Sequence, residues 1–255
     1  IWLALVMVIF GIAIYYRRQV NKKEANLSYM ESEYTKTGTS LSTITETDPT
    51  LTDRIINYYI ASSYNSCCAG EFQDSYVTIG ALKEVIKNGP RVLDFEIYSV
   101  DGKCVVAASP FDNEHLKGTY NSLPIGQVLA AVKDNAFSSP APNGGDPLFL
   151  HFRIKSGRDD VYEPLANAIK SNFAPKLMEA EWGLEGSLAA DSGKVLVFEK
   201  LKTITGKVII IASQKNDNFK KPDNPFYELV NLAPGGGSLY FNQLRNHDVQ
   251  YAGSA

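Results

Sequence analysis

A chain of 255 residues, 44% hydrophobic and 21% charged, has the material for one large apolar core or two small ones. Its net charge of -3 gives no case for wholesale nucleic-acid binding. Three cysteines (Cys67, Cys68 and Cys104) are too few and too odd for a disulfide framework, and no Cys-x-x-Cys pair or Cys/His cluster points to zinc, so reduced thiols in a cytosol-like compartment are the simplest reading.

Residues Ile1-Tyr16 are apolar throughout, and Arg17, Arg18, Lys22 and Lys23 follow at once. Sixteen helical residues span about 24 Å, slightly short of a hydrocarbon core of roughly 30 Å. The chain starts at Ile1 rather than Met, which suggests a processed or partial product; a few upstream residues would complete a transmembrane helix over 1–18. A signal peptide would carry its charges before the apolar run, and a buried core helix would lack the abrupt basic flank. The basic flank predicts a single-pass membrane protein with its soluble part on the cytosolic side. Without those four residues, 21 Lys+Arg face 28 Asp+Glu, so the remainder carries about -7 and the cationic collar stands alone. The collar either holds anionic headgroups or is only a topology signal. Residues 19–52, rich in Ser, Thr and Glu, read as a polar extended arm, held by protein partners if ordered.

From Asp53 the pattern changes, and 53–255 reads as one α/β domain. Ile55 to Ile60 predicts a strand that ends in the polar loop Ala61-Ser62-Ser63-Tyr64-Asn65-Ser66. Val77 to Lys87 has helical spacing, stopped by Asn88-Gly89-Pro90. Arg91 to Ser109 predicts a strand, a turn at Asp101-Gly102, and a second strand. Alternation puts Leu93, Phe95 and Ile97 on one face of the first strand and Val92, Asp94, Glu96 and Tyr98 on the other. Two carboxylates there need a cation, donors or water, or else the strand has a solvated acidic edge. Ile125 to Asp134 predicts a helix, Ser138 to Asp146 a loop, and Pro147 to Ile154 a strand with Phe149, His151 and Arg153 on one face. Asp159 to Phe173 predicts a helix, Lys194 to Phe198 a strand and Lys207 to Ser213 a buried strand; Pro225 to Leu232 and Leu239 to Leu244 are weaker elements. Alternating strands and helices indicate a parallel sheet of five or six strands. A closed eight-stranded barrel needs roughly 250 residues and about 200 remain after the anchor and arm, so the barrel is either incomplete or has its missing strands beyond Ala255.

The order of Ser62-Ser63-Tyr64-Asn65-Ser66, Arg91 to Tyr98, Gly102 to Ser109, Pro147 to Arg153 and Gly206 to Ser213 resembles the X region of phosphatidylinositol-specific phospholipase C. The resemblance runs from about Ile55 to Ser213, and more weakly to Gln250, and implies a TIM-barrel-like phosphodiesterase fold, either incomplete or continued beyond Ala255. In that family two histidines perform acid–base chemistry on a phosphoinositide, and eukaryotic members add calcium. Carried onto this chain, the two histidine positions are held by Tyr64 and Ala108. Asn65 matches a calcium ligand, Asp94 and Glu96 match the acidic pair in exchanged order, and Arg153 stands in the position of another ligand, a glutamate. The resemblance thus implies a catalytically degenerate domain with Asn65, Asp94, Glu96, His151 and Arg153 as its headgroup or vestigial metal site. It implies no cofactor, or alternatively calcium at Asn65, Asp94 and Glu96. A phenol is a poor general base near neutral pH, and alanine moves no proton. Tyr64 as a lid or packing residue, Asn65 as a turn cap and His151 as a rim histidine are the structural alternatives. His115 and His247 match no catalytic position. An anchor ahead of such a domain is also similar to proteins of large DNA viruses, which implies a structural role as a minor capsid or inner-membrane virion component. An active phosphodiesterase with a rearranged site and a phosphoinositide-headgroup binding module are the alternatives.

Overall fold

The computed structural model describes residues 2–38, 41–110, 116–184, 196–215, 218–221, 223–234 and 243–244. His115, His247, Lys194–Val195 and 239–242 lie outside the described residues. The central sheet runs in the order β4 (Leu123–Pro124), β3 (Lys103–Ala107), β2 (Val92–Val100), β5 (Leu148–Ile154), β6 (Val208–Ser213), with β1 (Ser62–Ser63) beside the start of β2. The β1–β2, β2–β5 and β5–β6 pairs are parallel, whereas β2–β3 and β3–β4 are antiparallel. The sheet is therefore mixed rather than parallel. The reason is local: Asp101 (φ 52°) and Gly102 (φ 71°) both take positive φ, which closes a two-residue hairpin. Among the described residues the sheet does not close on itself.

Alternation divides the sheet into two faces. Leu93, Phe95, Ile97, Leu148, Leu150, Phe152, Ile154, Val208 and Ile210 meet helices α2 (Ile79–Lys87), α3 (Ile125–Ala136) and α4 (Tyr162–Phe173). Helix α2 shows how its sequence specifies it. Thr78 caps it by accepting from the Ala81 amide at 2.9 Å, its buried stripe is Leu82, Val85 and Ile86, and Asn88-Gly89 (Gly89 φ 87°) ends it. Fully burying each such side chain contributes about 1.5–3 kcal/mol. On the opposite face Phe149, Ile209 and Ile211 are covered by Leu51, Ile55, Trp182, Leu196, Leu201 and Ile204. Leu201 and Ile204 sit in a one-turn α-helix (Leu201–Ile204), and the other cover residues in short 3₁₀ turns. Ile55–Asn57 and Leu196–Phe198 are such turns, not strands, because each spends its apolar residues as lids on that face instead of pairing edge to edge.

Arg91, just before β2, is buried. It donates from Nε to Pro147 O (3.1 Å), from Nη1 to Ala136 O (2.7 Å) and from Nη2 to Asp146 O (2.6 Å), with Phe137 stacked 5.3 Å from the guanidinium carbon. It ties the start of β2 to the end of α3 and the entry to β5.

Helix α1 runs Trp2–Thr37 without a break, about 54 Å. The extended arm expected from residue 19 is therefore helical as far as Thr37. Ala, Glu, Lys, Leu and Met favour helix, and the helix finds a dock. Its apolar N-terminal half is exposed, and it is long and apolar enough to cross a membrane. Its polar half lies on the domain. Lys22 Nζ donates to Asp74 O (2.8 Å) and Asn26 Nδ2 to Ser75 Oγ (3.3 Å), while Met30 packs against the core. Leu27 fills the space over Gly80, where a Cβ would meet its Cδ2 at 2.7 Å.

Candidate functional site

Register decides which polar side chains meet. Asp94 pairs with His151 and Glu96 with Arg153 across β2–β5, and Arg153 pairs with Ser213 across β5–β6. All point to the face opposite the helices, beyond the apolar patch of Phe149 and Ile211. Tyr64 and Asn65 follow β1 at once, so the site lies at the carboxyl ends of β1, β5 and β6. Crevices at such ends are where parallel α/β sheets ordinarily carry ligands.

Asp94 is 4% exposed and Glu96 1%, so neither belongs to a solvated edge. Arg153 stands between them. Its Nε lies 2.9 Å from Asp94 Oδ2 and 3.1 Å from Oδ1, its Nη2 2.7 Å from Asp94 Oδ1, and its Nη1 2.7 Å from Glu96 Oε1. Nη2 also donates to Asn65 Oδ1 (2.8 Å), and Nη1 to the Tyr64 hydroxyl (2.9 Å). The Tyr64 ring lies 4.2 Å from the guanidinium carbon and meets Phe72 edge to face at 5.4 Å. A forked guanidinium can satisfy several planar acceptors at once, as a lysine cannot.

The remaining acceptor capacity is used. Glu96 Oε2 accepts from the Tyr98 hydroxyl (2.7 Å) and the Ser109 amide (2.9 Å). Asp94 Oδ1 accepts from the Asn65 amide (3.0 Å), and the Ser66 hydroxyl accepts from the Asp94 amide (3.0 Å). Asn65 takes φ 47°, a left-handed conformation that asparagine tolerates, which points its side chain inward; its Nδ2 is buried without a partner. Burial would raise the Asp94 carboxyl, but hydrogen bonds from His151 and Arg153 and the Arg153 charge outweigh it and hold it at about 2. Burial would lower the Arg153 guanidinium, and Asp94 and Glu96 raise it instead. Burial raises the Tyr64 phenol, with Arg153 opposing, so it is held further from general-base chemistry.

His151 bridges two groups. Its Nδ1 lies 2.9 Å from Asp94 Oδ2 and its Nε2 3.0 Å from Ser213 Oγ. This Asp–His–Ser chain has the connectivity with which a carboxylate orients an imidazole toward a hydroxyl. Ser213 escaped the sequence reading; its signal was the β5–β6 register, which no periodicity supplies. Ala108 does not join the site. It is fully buried within the helix-side cluster, and Ala107 stands opposite Glu96. Calcium does not fit the donor set as it stands, because the Asn65, Asp94 and Glu96 oxygens that would ligate it already accept from Arg153 and a second cation would meet the guanidinium charge.

No protein-family model matches the sequence, and no curated protein matches it. Solved structures do resemble it. PLC21 from S. officinalis overlays with a TM-score of 0.55 at 16% identity, and PLC21 from L. pealei with 0.54 at 17%; each covers 74% of this chain and 25% of its own. The chain thus spans about a quarter of the length of those proteins. A calcium-dependent phosphoinositol-specific phospholipase C from Pseudomonas sp gives only 0.48 at 14% identity over 76% of this chain and 72% of its own, an overlap too low to weigh. These likenesses establish the fold: an α/β domain matching part of a phospholipase C-type barrel, with a long apolar helix at its N-terminus.

Proposed function

We propose that this chain is a membrane-anchored, phospholipase C-like pseudoenzyme with a structural or interaction role, carrying a guanidinium where the resemblance implies a metal. The observation that carries the reading is the saturation of Arg153 by Asp94, Glu96, Asn65 and Tyr64. A centre whose donors already satisfy one another has little left to offer a phosphodiester. Residues 1–18 are the anchor, 19–52 the connection and 53–255 the domain, facing the cytosol by its basic flank. The similarity to viral proteins makes a minor capsid or inner-membrane virion component, contacting other proteins, the role that fits best. Purified full chain in nanodiscs, assayed on phosphatidylinositol with and without calcium, should show no turnover. Turnover lost on Asp94→Ala would overturn the reading.

The Asp94–His151–Ser213 chain favours a second reading, an enzyme with a rearranged site. There His151 Nε2 takes the Ser213 proton as Oγ attacks phosphorus and gives it to the departing oxygen; water, deprotonated by the same nitrogen, then displaces Oγ from phosphorus, and the proton returns to Ser213. Phosphodiester turnover lost in both Ser213→Ala and His151→Ala would establish this in place of the first reading. The buried, unpartnered Asn65 Nδ2 favours headgroup binding without turnover. Full chain in phosphatidylcholine nanodiscs should bind a soluble inositol phosphate, and Arg153→Ala should lose that binding; no binding by wild type would count against this reading.

A further inference from the structure

The polar half of α1 does more than connect. Tyr120, in the loop after β3, takes a hydrogen bond from Gln19 Nε2 (3.3 Å) and also interacts with the Tyr15 hydroxyl. Residues 15 and 19 bracket the point where the apolar run of α1 gives way to Arg17 and Arg18. The height of Tyr120 along the helix is therefore that of the apolar–basic boundary. Tyr76 lies 5.4 Å from the Tyr120 ring, and Leu116 on the same loop is 70% exposed. The loops of Tyr76 and Tyr120 are joined: the Asp74 amide donates to Gly118 O (3.1 Å) and the Tyr120 amide to Ser75 O (2.9 Å).

Tyr15, Tyr16, Tyr76 and Tyr120, with Arg17, Arg18 and Lys117 beside them, have the composition of a membrane–water interface, where amphipathic rings sit at headgroup level and cations find phosphates. We propose that the 116–120 ledge is a second, shallow membrane contact, so that the domain lies against the bilayer in one orientation instead of swinging on a tether. This rests on the reading of α1 as a membrane span. The occupant of the ledge is a lipid surface, because an exposed tyrosine is held at the depth where the span itself changes from apolar to basic, with an exposed leucine four residues before it on the same loop.

The test uses full chain carrying Trp2→Phe and Trp182→Phe in phosphatidylcholine vesicles, so that each introduced tryptophan is the single reporter. Tryptophan is introduced at Leu116 (Leu116→Trp) or, as a control, at the fully exposed Tyr59 (Tyr59→Trp), which precedes β1 at the opposite ends of the parallel strands. A headgroup-region spin-labelled lipid should quench the Leu116→Trp signal about two-fold and leave the Tyr59→Trp signal nearly unchanged. In Leu116→Trp, adding Gln19→Ala and Lys22→Ala should return quenching to the control value. Equal quenching of the two probes in carbonate-resistant protein would overturn the ledge while sparing the anchor. Release of the chain by carbonate would overturn both.

Discussion

Two arginines, one buried and one largely so, serve neighbouring strands in opposite ways. Arg91, at the amino end of β2, gives its donors to three main-chain carbonyls and its face to Phe137. Arg153, at the carboxyl end of β5, gives its donors to two carboxylates, an amide oxygen and a phenol. Burial pushes the Arg91 guanidinium down to about 10, with only Asp146 in opposition, while carboxylates push Arg153 up. The first is a charge that the fold carries in order to join three segments. The second is one member of a charge-balanced cluster at the end of the sheet where chemistry belongs. Burial of the same residue type thus says nothing about role; the nature of the acceptors does.

The sharpest way to separate the two is to remove each. Arg153→Ala leaves Asp94 and Glu96 buried and unpaired, and should cost about 3–5 kcal/mol in denaturant unfolding. If the cost is charge imbalance, Arg153→Met combined with Asp94→Asn and Glu96→Gln should recover most of it, and no recovery would reject the balanced-cluster account. Arg91→Met has no charge partner to rebalance. It should cost about 2–3 kcal/mol by orphaning carbonyls, with no rescue by neutralising Asp146. A smaller effect distinguishes them by pH. Asp94 is held at about 2 in the folded chain, below the ordinary carboxylate value of about 3.9, so its contribution of about 2–3 kcal/mol is present above pH 4 and lost as pH falls through 2. Asp94→Asn should flatten that acid limb of the stability profile. Smallest of all, calcium should leave the wild-type melting temperature unchanged and raise that of Arg153→Ala by a few degrees, since only the variant frees the oxygens. A clear calcium-induced rise in wild type would contradict the ion-pair model.

Much of this was legible in the sequence, for reasons that differ by element. Strict alternation in β2 and β5 placed Asp94, Glu96, His151 and Arg153 on one face, because side-chain direction in a strand depends only on parity. The stripe and caps of α2 were equally plain. What failed was tertiary. Tyr58 to Ile60 is apolar enough for a strand, yet only Ser62–Ser63 pairs, because pairing depends on what lies beside it. The second half of α1 lacks a broad apolar stripe, and its dock relies on a missing side chain at Gly80. Ser213 and Arg91 acquire meaning only from neighbours far along the chain, and Ala108, one residue past the last ladder pair (Glu96–Ala107), continues the parity of Cys104 and Val106, which face the helix-side core.

The built-in guanidinium also changes what the site can sense. A bound metal is governed by a chemical potential: dilute it or chelate it, and the site empties. Arg153 is attached by three methylenes to β5, so its effective concentration beside Asp94 and Glu96 is fixed when the chain folds. No chelator, ion pulse or compartment change can titrate it away. The charge balance at this end of the sheet is inherited with the polypeptide rather than drawn from its surroundings.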